Sequence, residues 1–132
     1  MNTIPQNTHL KVSEKLVGSV VSIEGDTAKV ALEIIDEMVV DEFNLTHGGF
    51  VFGLADYAAM VAINEPTVVL GKAEVKFIKP VILNEKLTAI ATISDNSNGK
   101  KITVSVTVVN AEEQLVFEGS FICFVLEKHI LE

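Results

Sequence analysis

Cysteine is nearly absent from this 132-residue chain, with Cys123 the only one. No intrachain disulfide can form, which fits a reducing compartment. Cys123 sits in the apolar run "GSFICFVL" and reads as a small buried hydrophobe. The three histidines, His9, His47 and His129, stand far apart, and no HxxxH or CxxC spacing occurs. No metal site and no redox cofactor are therefore expected. Base is scarce too: 10 Lys+Arg against 18 Asp+Glu leave a net charge of −8. That excludes the basic footprint nucleic-acid binding needs, although a local basic patch could still hold an anionic ligand. No apolar run reaches the roughly 18 residues of a membrane span, because Asp56 interrupts the longest. The N-terminal "MNTIPQNTHLKVSEK" lacks the apolar core of a secretory signal, so the expected location is the cytoplasm.

What the chain does have is 48% apolar residues, enough for one domain with a real core. Residues 1–12 read as a loose arm and 13–132 as a single domain. "EKLVGSVVSIEG" and "TAKVALEIIDE" read as a hairpin turning at "EGDT". In the second run Ala28, Val30, Leu32 and Ile34 share one face. After a connection over 36–46, one helix is expected from Gly48 to Asn64, capped by Thr46 or Asn44 and ended by Asn64-Glu65-Pro66. Four strand-like runs follow: "TVVLGKAEVKFIKPV", "EKLTAIATISD", "KITVSVTVVNA" and "EQLVFEGSFICFVLE". The order β-β-α-β-β-β-β, with a helix apolar on all sides, implies an α+β fold in which an antiparallel sheet curls around the helix. Its edges need covering, and a two-fold dimer would do so.

The helix carries the chemistry. At Gly48 and Gly49 the first-turn amides lack intrahelical partners and sit at the positive end of the helix dipole. Without Cβ atoms a ligand oxygen can approach them, as an oxyanion would; equally, the glycines can serve only close packing. Asp56 is a lone carboxylate among apolar residues, costly unless paired or used. It lies on Gly49's face but about 10 Å further along the axis. One chain cannot bring the two together, whereas two antiparallel helices across a two-fold axis can. The alternative is a hydrogen bond from Asp56 to Tyr57 or nearby backbone. His47 can orient the loop or polarise a carbonyl. Lys72 and Lys76 share a face of the following strand, with Lys79 beyond, either as a phosphate contact or as a solvated face with Glu74 between them. Phe50 and Tyr57 can wall an acyl pocket or simply fill the core.

"HGGFVFGLAD", His47 to Asp56, resembles the H-G-G-x-x-x-x-L-A-D signature of hotdog-fold acyl-CoA thioesterases of the PaaI-like, phenylacetic-acid-pathway group. "AEVKFIKPV" and "LNEKLTAIATI" are similar to that group's next two strands, with Asn84 where its turn usually has glycine. The strand order extends the resemblance over about residues 14–127. It implies a hotdog fold, a homodimer or dimer of dimers, and hydrolysis of an acyl-CoA thioester with coenzyme A entering only as part of the substrate. By the same resemblance Asp56 activates water or attacks the thioester carbon, the Gly49 amide binds the carbonyl oxygen, and His47 shapes the site. Where relatives often carry a loop asparagine this chain has Asp41, and Asn44 falls where glycine is common, so Asn44 or Asp41 is left to supply the loop's polar group. No Ser or Thr stands where some relatives hold the water; Thr67 is the nearest hydroxyl. Two other outcomes fit the same fold: a non-catalytic acyl-CoA sensor, and a hydroxyacyl-thioester dehydratase with His47 as base.

Overall fold

The computed structural model describes residues 3–132. Six strands and one long helix follow the expected order: β1 (Ser19–Glu24), β2 (Thr27–Glu33), α1 (Gly48–Ile63), β3 (Val68–Phe77), β4 (Lys86–Asp95), β5 (Lys101–Val109) and β6 (Leu115–Val125). A short 3-10 turn, Asp36–Met38, lies in the connection before the helix. All strand pairs are antiparallel, in the spatial order β1-β2-β4-β5-β6-β3. Consecutive strands form the hairpins. The helix carries the chain from β2 to the far edge, so β3 pairs with β6 on one side only.

Alternation decides which face meets the helix. Ala28, Val30 and Leu32 of β2, Leu87, Ala89 and Ala91 of β4, and Val104, Val106 and Val108 of β5 all point inward and are buried. The four expected inward residues around β2 are buried, Ile34 included. Ten of the helix's 16 residues are buried, among them Ala55, Ala58, Ala59 and Ala62. With Ala28, Ala89 and Ala91 buried on the sheet's inner face as well, these small side chains let helix and sheet approach closely where larger ones would hold them apart. Gly18 serves the same end. At φ +139° its absent Cβ would stand 2.7 Å from Val30 Cγ1 and 3.2 Å from Leu54 Cδ1.

The helix ends as its sequence implies. Asn64 takes the left-handed conformation, φ 60°, and its N–H donates to Met60 O at 2.8 Å. Its start differs from expectation. The cap is His47, not Thr46 or Asn44: His47 is the last extended residue and its Nδ1 accepts from Gly49 N–H at 2.8 Å. Thr46 is held elsewhere, its N–H donating to Val81 O.

The N-terminal segment is tied down where a loose arm was expected. Ile4 N–H donates to Ile23 O at 2.7 Å, Asn7 N–H to Asn64 Oδ1 at 2.7 Å, and Asn64 Nδ2 to Pro5 O at 2.9 Å. The left-handed cap turns the Asn64 amide toward the arm, so one residue ends the helix and anchors the segment. β1 begins only after Gly18, because residues 13–17 form a turn closed by Val17 N–H on Ser13 O.

Candidate functional site

Asp56 lies on the helix near enough to Cys123 of β6 for its charge to act on that thiol. Phe52, one turn earlier, packs on Phe121 with ring centroids 5.5 Å apart. The Asp56 charge and burial together push the Cys123 thiol up to about 12, burial being the larger cause, which leaves it an inert hydrophobe. Burial likewise raises the Asp56 carboxyl from its usual range to about 6. Asp56 Oδ1 is water-inaccessible and has no hydrogen-bond partner among the described residues. The alternative of a bond to Tyr57 or nearby backbone is not realised by this oxygen. Tyr57 OH instead accepts from Gln6 Nε2 at 2.9 Å.

The helix start is more occupied than the sequence suggests. Gly49 N–H is satisfied by His47 Nδ1, which must therefore be the unprotonated ring nitrogen, leaving the proton on Nε2. The absent Gly49 Cβ would fall 2.8 Å from that Nδ1, so glycine permits the contact. The His47 ring is steadied edge-on by Phe50, with centroids 6.2 Å apart. Gly48 N–H, by contrast, finds no acceptor among the described residues. Beside Gly48 opens a cavity of about 350 Å³, lined by Leu45, Thr46, Gly48, Val51, Phe77, Lys79, Pro80, Val81 and Val116.

Asp41 organises the loop before the helix. Its Oδ1 accepts from Phe43 N–H at 3.0 Å and Leu45 N–H at 3.1 Å. Asn44 is left-handed at φ 66°, which allows it to stand in a glycine's place, and Asn84 at φ 74° does the same later. Thr67 Oγ1 donates to Leu126 O at 2.6 Å and is committed to backbone.

The structure brings His47, Gly48, Gly49 and Phe50 together and separates the rest. Tyr57 is buried two turns away beside the arm, its ring 6.3 Å from His9, and does not line the cavity. Lys72 and Lys76 lie exposed on the outer face of β3, as expected from their spacing. Lys76 pairs in register with Glu118 on β6, and Glu74 shares its face, so acids interrupt the basic stripe. Sequence reasoning missed Thr46, whose Oγ1 is the other water-inaccessible, unpartnered side-chain oxygen among the described residues. A threonine directly before the H-G-G run was a signal, but it was read only as a cap. Among the described residues no group of three or more His, Cys, Asp or Glu could hold a metal ion, and no helix is long and apolar enough to cross a membrane.

Comparison with known proteins places this geometry in a family. The thioesterase superfamily model matches residues 43–117, spanning the helix, β3 to β5 and the start of β6. The crystal structure of the uncharacterized protein PH1136 from Pyrococcus horikoshii superposes with a TM-score of 0.96 at 57% identity, over 100% of both chains. Methylthioribose-1-phosphate isomerase of Aquifex aeolicus is 42% identical over 86% of this chain but only 25% of its own length. The transcription factor FapR of Bacillus cereus is 32% identical over 82% of this chain and 55% of its own. The chain thus spans a quarter to about half of those curated relatives. Two more distant structures share the fold. PaaI of Escherichia coli, from the phenylacetic acid degradation operon, has a TM-score of 0.77 at 20% identity over 84% of this chain and 80% of that one. The Streptococcus mutans protein smu.793, bound to acetyl CoA, has a TM-score of 0.79 at 23% identity, over 92% and 99%. One helix wrapped by a six-stranded antiparallel sheet is the expected hotdog fold, and the chain belongs to the thioesterase superfamily.

Proposed function

We propose that the protein hydrolyses an acyl-CoA thioester to a carboxylic acid and free coenzyme A, in two sites shared across a two-fold homodimer. The observation that carries this reading is Asp56, a half-buried carboxylate with one inaccessible, unpartnered oxygen and a pKa raised to about 6. A carboxylate left in that state costs stability, and its raised pKa suits a general base near neutral pH. Superfamily membership and a fold neighbour holding acetyl CoA support the substrate class. The dimer is supported by β3, a ten-residue edge strand with one side unpaired. Two β3 edges meeting antiparallel would align the helices antiparallel, setting each Asp56 toward the other protomer's helix start.

In that arrangement Asp56 takes a proton from water as the water oxygen bonds to the thioester carbon. The carbonyl electrons move to oxygen, which is held by the free Gly48 amide and the positive helix end. Collapse re-forms the carbonyl, the C–S bond breaks, and the thiolate leaves and takes up the proton. Gly49 can join the oxyanion site only if the His47 ring releases its amide. The route in which Asp56 itself attacks carbon differs by a mixed anhydride that water then opens.

A second reading, an acyl-CoA-binding sensor without turnover, is favoured by two observations: the similarity to FapR and the occupied Gly49 amide. Thiol release from short, long and aromatic acyl-CoAs, with wild type beside Asp56→Ala, separates the two. Turnover that vanishes in the variant supports hydrolysis. Absence of turnover, with calorimetric binding of a CoA ester, supports the sensor.

A further inference from the structure

The cavity beside the helix start is lined mostly by apolar side chains, and Lys79 is the one charged residue in its wall. Lys79 is exposed, so a ligand can reach its ammonium. It stands just beyond β3, where its backbone N–H donates to Val116 O at 3.2 Å. Its side chain is oriented by an amide, not by an acid. Nζ donates to Gln114 Oε1 at 3.0 Å, and that oxygen also accepts from Asn110 Nδ2 at 2.9 Å. Asn110 is buried, and its Oδ1 accepts from the N–H groups of Glu112 and Gln114, which fixes the turn between β5 and β6. The ion pairs among the described residues are Lys15–Glu37 and Lys100–Glu127, so no carboxylate neutralises Lys79. An ammonium held by one neutral oxygen keeps its full charge and two donors for a ligand. Lys72 and Lys76 differ: neither lines this cavity, and acids share their face of the sheet.

We infer that this cavity takes a short acyl group ending in a carboxylate, with its methylenes against Val51, Val81 and Val116 and its carboxylate on Lys79. The inference rests on the acyl-CoA reading above and narrows its substrate class. An acyl-CoA of that kind offers two sources of anionic oxygen, the phosphates of coenzyme A and the acyl carboxylate. The size of the cavity favours the second. Gly48 and Lys79 stand in the wall of one cavity of about 350 Å³. With the thioester carbonyl on the Gly48 amide, a group that meets Lys79 lies only a few bonds from the carbonyl carbon. The phosphates are separated from the sulfur by the whole pantetheine arm, which is longer than such a cavity is wide. A carboxylate deep in an apolar wall would be costly, but at an exposed lysine it stays partly hydrated and meets opposite charge. An alkyl chain of the same length fills the wall as well and gains nothing from Lys79.

The test compares succinyl-CoA with butyryl-CoA, and glutaryl-CoA with valeryl-CoA, on wild type, Lys79→Gln, Lys79→Arg and Lys79→Glu. Each result is the ratio of kcat/KM for the acid-ended ester to that for the alkyl ester of equal length, so a general loss of activity in a variant cancels. Wild type is expected to favour one acid-ended ester by about tenfold, less so as salt is raised. Lys79→Gln should remove the preference, Lys79→Arg should keep it, and Lys79→Glu should reverse it, which a merely structural lysine would not do. If wild type binds without turnover, the same ratios are read as calorimetric Kd values. A wild-type ratio near one, or a ratio that Lys79→Gln and Lys79→Glu leave unchanged, overturns the inference. Equal weakening of both CoA esters by Lys79→Gln, absent with the corresponding pantetheine esters, assigns Lys79 to the phosphates and overturns the carboxylate. Failure of wild type to cleave or bind any CoA ester overturns the parent reading as well.

Discussion

Replacing Asp56 by Asn should make the protein more stable at pH 8 and leave it about as stable as wild type, apart from a constant offset, at pH 4. Burial raises the Asp56 pKa in the folded state to about 6, while the unfolded chain titrates near the usual ~3.9. Between those values the folded state holds a proton the unfolded state has released. Wild-type stability therefore falls as pH rises from about 4 to about 6, and stays lowered above it. Two pKa units correspond to about 3 kcal/mol as a ceiling. Asp56 keeps some exposure, so screening brings the expected loss to roughly 1–2 kcal/mol. The Asn variant cannot titrate and lacks this slope. Its own buried amide adds a cost that does not vary with pH and cancels in the comparison. Urea unfolding of both proteins at pH 4, 5, 6, 7 and 8, plotted as the difference, isolates the effect. A flat difference, or one in which wild type gains with pH, would refute the account of Asp56 as a desolvated and unpaired acid. The same ionisation should appear in turnover, with kcat/KM rising through pH 6 as the base loses its proton.

Thr46→Val should raise stability by about 1 kcal/mol, because it removes an orphaned hydroxyl and keeps the shape; chemical denaturation reads this directly. Cys123, buried and with its thiol pushed up to about 12, should resist a thiol reagent in the native protein and react only on unfolding. That inertness leaves released coenzyme A as the only thiol such a reagent counts. Asn64→Ala should cost about 2 kcal/mol, since it strains the left-handed cap and severs both hydrogen bonds to the arm. Asn64→Gly keeps the backbone conformation and should cost less, and an equal cost in the two would show that the cap geometry contributes nothing.

The helix was legible because it is one long apolar run, buried on most sides, and the strands because their alternation matches their burial. Every residue from Leu54 to Ile63 except Asp56 is buried, and the alternation in β2 identifies its inner face without help. Features that depend on a distant partner were not legible. His47 caps the helix instead of Thr46 because the bridge from Thr46 to Val39 and its bond to Val81 decide where helical geometry begins. The basic stripe looked usable on β3 alone, yet β6 sets Glu118 beside Lys76. Residues 3–12 carry no periodic pattern, so nothing local announces that the Asn64 side chain and β1 hold them. In β3, Gly71 is the extra residue of a bulge, with the Phe124 ring over the space where its Cβ would stand; a lone glycine in a strand hints at such a bulge but not at its neighbour. The orphaned oxygens of Thr46 and Asp56 could be found only once every other polar contact was in place.

The shared site can be tested by complementation. Asp56→Ala removes the base, and Gly48→Val blocks the free amide and the space beside it; each protein alone should release no thiol from a CoA ester that wild type cleaves. Co-refolded in equal amounts, half the dimers are mixed, and each mixed dimer contains one site with both defects and one with neither. The account predicts thiol release at about a quarter of the wild-type rate per protomer. A mixture no more active than its two parents, with mixed dimers demonstrated by mass, would contradict a site built from Asp56 of one protomer and the helix start of the other.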